Sequence, residues 1–399
     1  MSRLKLFLQS QTRIRNEAAL VFLSSSAFFL SYFGRMVWSV VGIYSSLHPT
    51  VAESGLIFSL FFLGYIIVQV PAGMISDRVR PNLVVGLAQI VLSASLLLGG
   101  LAPTIEVEYV SSVVMGFSAG WIFPCTLKIM TALFQDRKKR LVMMGYYSLA
   151  WPLSIIFLGV LLPPVALNFG WEWAYYVLAI ISFLLGVLFL SSEVRGFKPQ
   201  RMSLSFLVSK NSIVLALAGF LFYFAYWPVT FFAYDYFVSI GLGSYLSGIA
   251  VSSLALAGIP STLISGYVMN RLGIKKTVLV SLLIYAALLF AMARTSVFAL
   301  IIGIALVMGF FRFFITPANA DIISVVGESR AGALSGFANL IWQASGTVAP
   351  IYAASVIGTF GYGANWTIMS FVVFAACVFY ALISIPKAKS VERGSAVLP

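Results

Sequence analysis

The chain has 399 residues, of which 61% are hydrophobic and only 9% are charged, and its mean hydropathy is +1.00. Soluble domains carry about a quarter charged residues, so this sequence lacks the polar surface to cover a core of its size, and a water-soluble protein is excluded. The formal net charge of +13 is typical of nucleic-acid-binding proteins as well as of membrane proteins. The positions of the basic residues decide between the two.

Long continuous apolar runs predict membrane-spanning α-helices, whereas a barrel would show alternating strands of about ten residues. The first run begins near Ala18, lacks a small-residue cleavage site and is followed by eleven more. We therefore expect a retained span and no signal peptide. The predicted spans 1 to 12 lie roughly at 18–44, 53–76, 82–103, 106–133, 140–165, 171–192, 212–238, 243–269, 274–293, 296–323, 331–357 and 364–386.

The basic residues fall almost entirely in one alternate set of the segments that connect these spans. Only Arg294 lies in a loop of the opposite set. An even number of spans puts both termini on one side, and the Lys/Arg bias predicts that this side is the cytoplasm of a cell-membrane protein. Topology thus accounts for the positive charge, and no nucleic-acid partner is expected, because no basic patch lies outside the short loops.

Two motifs recur at the same offset along the chain. The segment from Gly73 to Arg78 after span 2 matches that from Gly266 to Arg271 after span 8, 193 positions later. Met115-Gly116 with Pro124 in span 4 matches Met308-Gly309 with Pro317 in span 10 at the same offset. A site between two similar halves can open to either side when the halves rock, which is typical of carriers.

The predicted fold is an all-α integral membrane protein with twelve transmembrane helices in two pseudo-symmetric six-helix bundles. The N-terminal bundle is expected at 1–193, a cytoplasmic linker at 194–211 and the C-terminal bundle at 212–399. We expect a monomer, with no cofactor and no metal ion.

On these motifs the chain resembles the major facilitator superfamily of secondary transporters over nearly its whole length. The loop Gly73-x-x-x-Asp77-Arg78 is similar to the signature between spans 2 and 3, although Arg80-Pro81-Asn82 replaces its last residues. The Asp-Arg-x-x-Pro variant and Ala257-Gly258-Ile259-Pro260 in span 8 resemble the organophosphate antiporters and the anion:cation symporters. The stretch from Lys128 to Arg140, with Gly145 and Gly170-Trp171-Glu172-Trp173 further on, is similar to spans 4 to 6 of those symporters.

The signature loop and its repeat are expected to form a gate on the cytoplasmic side. Asp77 could cap a neighbouring helix or pair with an arginine across the halves, and so hold the outward-facing state. Solvation of a loop is the alternative role for these residues. The predicted gating residues are Asp77, Arg78, Arg137, Asn270 and Arg271.

Three basic residues fall inside predicted spans: Arg35, Lys128 and Arg312. Such a residue costs several kcal/mol in hydrocarbon unless it faces a cavity or a partner. Arg35 lies too deep to reach the membrane surface, and the resembled families carry a substrate-binding arginine on that helix. A guanidinium can bind a carboxylate or phosphate through two hydrogen bonds. The alternative is a permanent salt bridge, for which no carboxylate is visible at that depth in spans 2 to 6.

For Arg312 the same reasoning applies, with Pro317 expected to free carbonyl partners nearby. Lys128 matches a basic position in span 4 of those symporters and is the third predicted substrate-binding cation, but it lies nearer the cytoplasm and could serve the gate instead. The repeat puts it opposite Asp321, 193 positions later, so we hypothesise that the two pair when the cytoplasmic side is closed. Reversing both charges should then restore transport that either single reversal abolishes, and a transport-dead double variant would count against the pairing.

Proton coupling is left open by the sequence. Asp235 and Asp321 are the expected intramembrane carboxylates, and Gly34 stands where the symporters have an acidic residue. Tyr226 and Trp227 occupy the region in which phosphate antiporters have a second arginine, which argues against phosphate exchange. The polar and aromatic residues predicted to line the substrate cavity are Tyr32, Gln69, Tyr147, Tyr226, Asn339 and Gln343.

The sequence contains no phosphate-binding loop, no metal-ligand spacing and a single histidine, so no enzymatic activity is expected. We expect a secondary active transporter that moves a small organic anion, such as a carboxylate or a sugar acid, by alternating access. An exporter of amphipathic compounds is one alternative. A membrane sensor that binds a solute without moving it is another, although the short termini argue against an added signalling domain.

Overall fold

The computed structural model describes residues 16–76, 78–134, 136–194, 209–327 and 331–384. Within these ranges, 12 helical segments are long and apolar enough to cross a membrane. They agree with the predicted spans, because long apolar runs can satisfy their backbone hydrogen bonds in lipid only as helices. In chain order, the helices are Glu17–Met36 and Trp38–Val41 (span 1), Val51–Ser76, Pro81–Gly100, Ile105–Leu133, Arg137–Ser148 and Ala150–Phe169 (span 5), Glu172–Leu190, Lys210–Phe231 (span 7), Ala233–Ser239, Ser244–Leu256 and Gly258–Leu272 (span 8), Ile274–Met292, Phe298–Phe313 and Ile315–Gly327 (span 10), Ala331–Phe360 and Tyr362–Leu382.

The breaks in spans 8 and 10 each lie three residues before a proline. Span 8 is interrupted at Ala257, ahead of Pro260, and span 10 at Phe314, ahead of Pro317. A proline has no N–H to donate to the preceding turn, so the helix is interrupted there. Span 7 ends at Phe231, earlier than predicted, because Phe232 leaves the helical conformation before a short helix begins.

The helices confirm the internal repeat. Spans 2, 3 and 4 begin at Val51, Pro81 and Ile105, and spans 8, 9 and 10 begin 193 positions later at Ser244, Ile274 and Phe298. Within each half the spans pack on one another, as span 4 does on spans 2 and 3 and span 7 does on spans 11 and 12. Glycines allow the closest approaches: a Cβ at Gly116 would collide with the Phe61 carbonyl of span 2.

Spans 2 and 11, and spans 5 and 8, form the main contacts between the two bundles. We call the side that carries Tyr44 and Phe169 the outer side, and the side that carries Glu17 and Leu133 the inner side, which is the predicted cytoplasmic one. On the outer half, the rings of Phe58 and Phe231 stack with centres 4.2 Å apart. The hydroxyls of Tyr44 and Tyr234 are hydrogen-bonded at 2.5 Å. The bundles therefore close the outer side.

Candidate functional site

Arg35 lies near the end of the first helix of span 1 and is 6% exposed. Five aromatic rings surround its guanidinium, with ring centres 4.8–5.3 Å from Cζ. We call these rings the aromatic cage; they are Tyr32, Phe61, Phe62, Tyr65 and Trp227. Four belong to spans 1 and 2 and the fifth to span 7, so both bundles contribute. Aromatic faces stabilise a buried cation without using its N–H donors.

The guanidinium of Arg35 forms neither a hydrogen bond nor an ion pair with any residue of the described ranges, and its Nε is buried without a partner. A buried donor without an acceptor costs about 1–3 kcal/mol, and more when it is charged. The cage therefore holds a cation whose hydrogen-bonding capacity is unused. Such an arrangement can accept an anion.

Arg312 belongs to the C-terminal bundle and is 2% exposed. Its Nη2 donates to the carbonyl of Leu254 at 3.1 Å, its Nη1 donates to Thr230 Oγ1 at 3.4 Å, and its Cζ lies 4.7 Å from the ring centre of Tyr226. The sequence suggested carbonyls freed by Pro317 as partners. The structure instead provides a carbonyl from span 8, close to the break at Ala257, because spans 8 and 10 pack together.

Aromatic residues connect the surroundings of the two arginines. Trp227 faces Arg35, Tyr226 faces Arg312, and the centres of the two rings are 4.8 Å apart. Trp151 lies between Tyr32 and Tyr226, and its ring centre is 5.6 Å from that of Tyr32 and 5.9 Å from that of Tyr226. Within the described part of the chain, the buried Nε1 atoms of Trp151 and Trp227 and the hydroxyls of Tyr32 and Tyr226 have no hydrogen-bond partner. These groups can all donate, so the centre of the molecule is rich in donors.

Three side-chain amides continue from this centre toward the inner side. Asn339 of span 11 donates to Gln69 Oε1 of span 2 at 3.4 Å, and Gln343 Nε2 donates to Asn339 Oδ1 at 3.3 Å. The amides therefore link the two bundles. Gln69 Nε2 and Gln343 Oε1 are buried and have no partner among the described residues, so one donor and one acceptor remain for a solute.

The contacts of the other predicted residues are as follows in the structure. The hydroxyl of Tyr147 is bonded to Thr126 Oγ1 at 2.7 Å, and its ring stacks on Phe28, so Tyr147 has a packing role in the structure. Lys128 and Asp321 are half-buried, and the described residues contain no ion pair between them. Asp235 lies on the short helix Ala233–Ser239 beside the outer closure.

The predicted gating residues are only partly covered by the structure. Asp77 lies outside the described residues, and Arg137 is described only as the first residue of a helix. Arg78, Asn270 and Arg271 are exposed, and Arg271 donates to the Tyr267 hydroxyl at 3.2 Å. The cytoplasmic gate thus stays a prediction.

Glu108 is a buried carboxylate that the sequence analysis missed when it took Asp235 and Asp321 as the only candidates. It lies in span 4, is fully buried, and accepts a hydrogen bond from the Tyr175 hydroxyl at 2.5 Å. Its other oxygen has no partner among the described residues. Glu108 lies near the start of span 4, where Gly99 of span 3 and Tyr175 of span 6 cover it.

Phe61, Phe62 and Thr230 also contact the arginines, although the sequence did not single them out. The spacing of Phe61, Phe62 and Tyr65 could have indicated one aromatic face on span 2.

Two apolar surface grooves, of about 350 and 300 Å³, contain none of the predicted site residues. Their lining of aliphatic and aromatic side chains suits the lipid-facing surface.

Comparison with known proteins gives matches over most of the chain. The sequence profile of the Major Facilitator Superfamily matches residues 23–350 and 215–397. The Bacillus subtilis (strain 168) protein named Uncharacterized MFS-type transporter YceJ is 26% identical over 78% of this chain and 80% of its own length. The hexuronate transporter of the same organism is 24% identical over 83% of this chain and 86% of its own length.

Among solved structures, a bacterial homolog of the human lysosomal transporter Spinster, in an inward-facing and unoccupied conformation, superposes with a TM-score of 0.77 at 15% identity. The superposition covers 92% of this chain and 96% of that one. At this identity the likeness concerns the fold alone. With the profile match over most of its length, the chain belongs to the Major Facilitator Superfamily and is a multi-pass membrane transporter, not an enzyme.

Proposed function

We propose that this protein is a secondary active transporter that carries a small organic anion, a carboxylate or a sugar acid, by alternating access. Its two halves, 1–193 and 212–399, rock about a central site that Arg35 and Arg312 share. It acts as a monomer in the cell membrane, with both termini in the cytoplasm.

The observation that carries the proposal is the state of Arg35. A guanidinium that is 6% exposed is enclosed by five aromatic rings and has no acceptor within the described part of the chain. An unpaired buried cation is costly, and an anion that fills its donors recovers that cost each time it binds. The surplus of unpartnered donors on Tyr32, Trp151 and Trp227 favours the same kind of solute.

The relatives support the same class of solute. One of the matching proteins is named a hexuronate transporter, and a hexuronate carries a carboxylate. An exporter of amphipathic compounds would instead be expected to have a more apolar central cavity, without two buried arginines.

The test is counterflow of labelled solutes into proteoliposomes, with and without a pH gradient. We expect organic anions to exchange and amphipathic cations not to do so; dependence on the gradient would add a proton, with Asp235 and Asp321 as its candidate carriers. Arg35→Gln should lower anion counterflow about 100-fold, because two charge-assisted hydrogen bonds are lost.

The matched control is Arg294→Gln. It also removes one positive charge, but Arg294 is exposed and stacks on Phe290 at the outer side. Counterflow of amphipathic compounds without any anion exchange would support the exporter instead. Saturable binding without counterflow would support the sensor.

A further inference from the structure

The larger of the two apolar grooves, of about 350 Å³, lies on the surface of the N-terminal bundle between spans 2, 3 and 4. We call it the span 2–4 groove. Of the described residues that line it, Ser118 carries the one hydroxyl, which already donates to the Met115 carbonyl at 2.8 Å. Its walls include the exposed side chains of Leu87 and Phe117 and the ring of Trp121. These walls favour an apolar occupant.

The span 2–4 groove lies in the inner half of the molecule. Span 3 starts at the inner side with Pro81, and its groove-lining residues repeat at helical spacing along one face: Val84, Leu87, Ala88 and Val91. From the first to the last of them the helix rises about 10 Å. This length is roughly two-thirds of one leaflet of the hydrocarbon core, so the groove runs beside the acyl chains of the inner leaflet.

Two exposed arginines stand at the inner end of the groove. Arg78 and Arg80 flank Val79, which lines the groove and is itself exposed. Arg80 directly precedes the helix of span 3 and lies four residues before Val84, so it stands at the inner end of the groove-lining face. Neither side chain has a hydrogen bond or an ion pair with a residue of the described ranges. Guanidinium groups bind phosphate through paired hydrogen bonds.

The repeated half does not carry the same combination. Gly273 occupies the position that corresponds to Arg80, and Phe311 the position that corresponds to Ser118, each 193 residues later. Topology requires basic residues in the inner loops of both halves. It does not require a second arginine in line with a groove that has a small residue in its wall.

We propose that the span 2–4 groove binds one anionic phospholipid of the inner leaflet, with an acyl chain between the three spans and the phosphate at Arg78 and Arg80. Basic residues at the inner surface attract anionic head groups, and the acyl chain gains dispersion contacts with the walls. A zwitterionic lipid gains the same chain contacts but less of the attraction, because its own ammonium group offsets its phosphate. This site goes beyond the proposed function and does not depend on it.

Trp121 provides an internal reporter for the test. The protein is reconstituted in unbrominated phosphatidylcholine with a varied fraction of lipid brominated on its acyl chains, which quenches tryptophan fluorescence on contact. The share of Trp121 is the difference between the wild type and Trp121→Phe. We expect brominated phosphatidylglycerol to quench Trp121 at about tenfold lower mole fraction than brominated phosphatidylcholine. Equal quenching by the two lipids would overturn the proposal.

Arg80→Gln and Lys276→Gln separate this site from the general charge of the inner surface. Lys276 is also exposed and lies near the start of span 9 in the repeated half. We expect Arg80→Gln to lower the preference for phosphatidylglycerol about fivefold and Lys276→Gln to leave it unchanged. An equal loss in both variants would show attraction to surface charge alone, and the proposal fails.

A second pair of variants tests the groove itself. Val91→Phe narrows the groove, and Val280→Phe makes the same change on span 9; both valines are exposed, so neither substitution disturbs the core. Val91→Phe should abolish the preference of Trp121 for phosphatidylglycerol, whereas Val280→Phe should retain it. A full preference in Val91→Phe would contradict the placement of the chain. No transport is measured, so a failure here is distinguishable from a failure of the proposed function.

Discussion

At the scale of single residues, two tyrosines that the sequence predicts for the same cavity differ in one hydrogen bond. The Tyr32 hydroxyl is buried beside Arg35 and has no partner within the described ranges, whereas the Tyr147 hydroxyl is bonded to Thr126 Oγ1 at 2.7 Å. Only the first hydroxyl is available to a solute.

Tyr32→Phe should therefore weaken the affinity for the transported anion about fivefold to tenfold, because one hydrogen bond to a charged acceptor is lost. Tyr147→Phe is the matched control and should leave the affinity unchanged, although it removes the same atom. Affinities from competition in counterflow check both. An equal effect of the two substitutions would contradict the assignment of Tyr32 to the site.

Sequence reasoning found Arg35 and Arg312 because a cation in an apolar run is conspicuous and costly. It did not find Phe61 and Phe62, because an aromatic residue has the same appearance in sequence whether it faces lipid, a neighbouring helix or a cation. It also assigned Tyr147 to the cavity. The hydrogen bond between Tyr147 and Thr126 is not visible in the sequence, because it depends on how spans 4 and 5 pack. Tertiary contacts decide such cases.

At the scale of the helices, two features cannot be derived from hydropathy: the break in span 8, which precedes a proline, and the hydrogen bond of the buried Glu108. The break in span 8 at Ala257 lies close to the Leu254 carbonyl that Arg312 binds. Glu108 and Tyr175 join spans 4 and 6 through a short hydrogen bond in a fully buried position. Both features depend on packing between helices that are far apart in sequence.

Tyr175→Phe should lower the free energy of unfolding by about 1–3 kcal/mol, because the Glu108 carboxyl group loses its hydrogen-bond donor in a buried environment. Unfolding of the purified protein in detergent measures this loss. The control is Tyr245→Phe, since Tyr245 is 59% exposed. Unchanged stability of Tyr175→Phe would show that the Glu108–Tyr175 hydrogen bond does not contribute.

At the scale of the whole molecule, hydropathy and the 193-residue offset predicted the twelve spans and the two similar bundles. The closure of the outer side could not be predicted, because both open and closed arrangements satisfy the same pattern of apolar residues. The contacts that close it, Phe58 with Phe231 and Tyr44 with Tyr234, join residues from different bundles. Alternating access requires that these contacts separate during each cycle.

A reversible cross-link between Phe58→Cys and Phe231→Cys, in a background without Cys125 and Cys377, should therefore stop transport, and a reductant should restore it. The matched control is a cross-link between Phe290→Cys and Phe371→Cys, whose rings are 6.5 Å apart in spans 9 and 12 of one bundle. This control should leave transport intact. Continued transport with the first pair cross-linked would contradict the proposed movement.

The most direct test uses a variant in which Arg35 and Arg312 are both replaced by glutamine. The flux of the transported anion through this variant is measured in proteoliposomes, with the wild type and Arg294→Gln as controls. We predict that the double variant folds and inserts but has lost anion flux, because its centre no longer carries a positive charge to bind the solute. Wild-type flux through the double variant would contradict the role assigned to the two buried arginines.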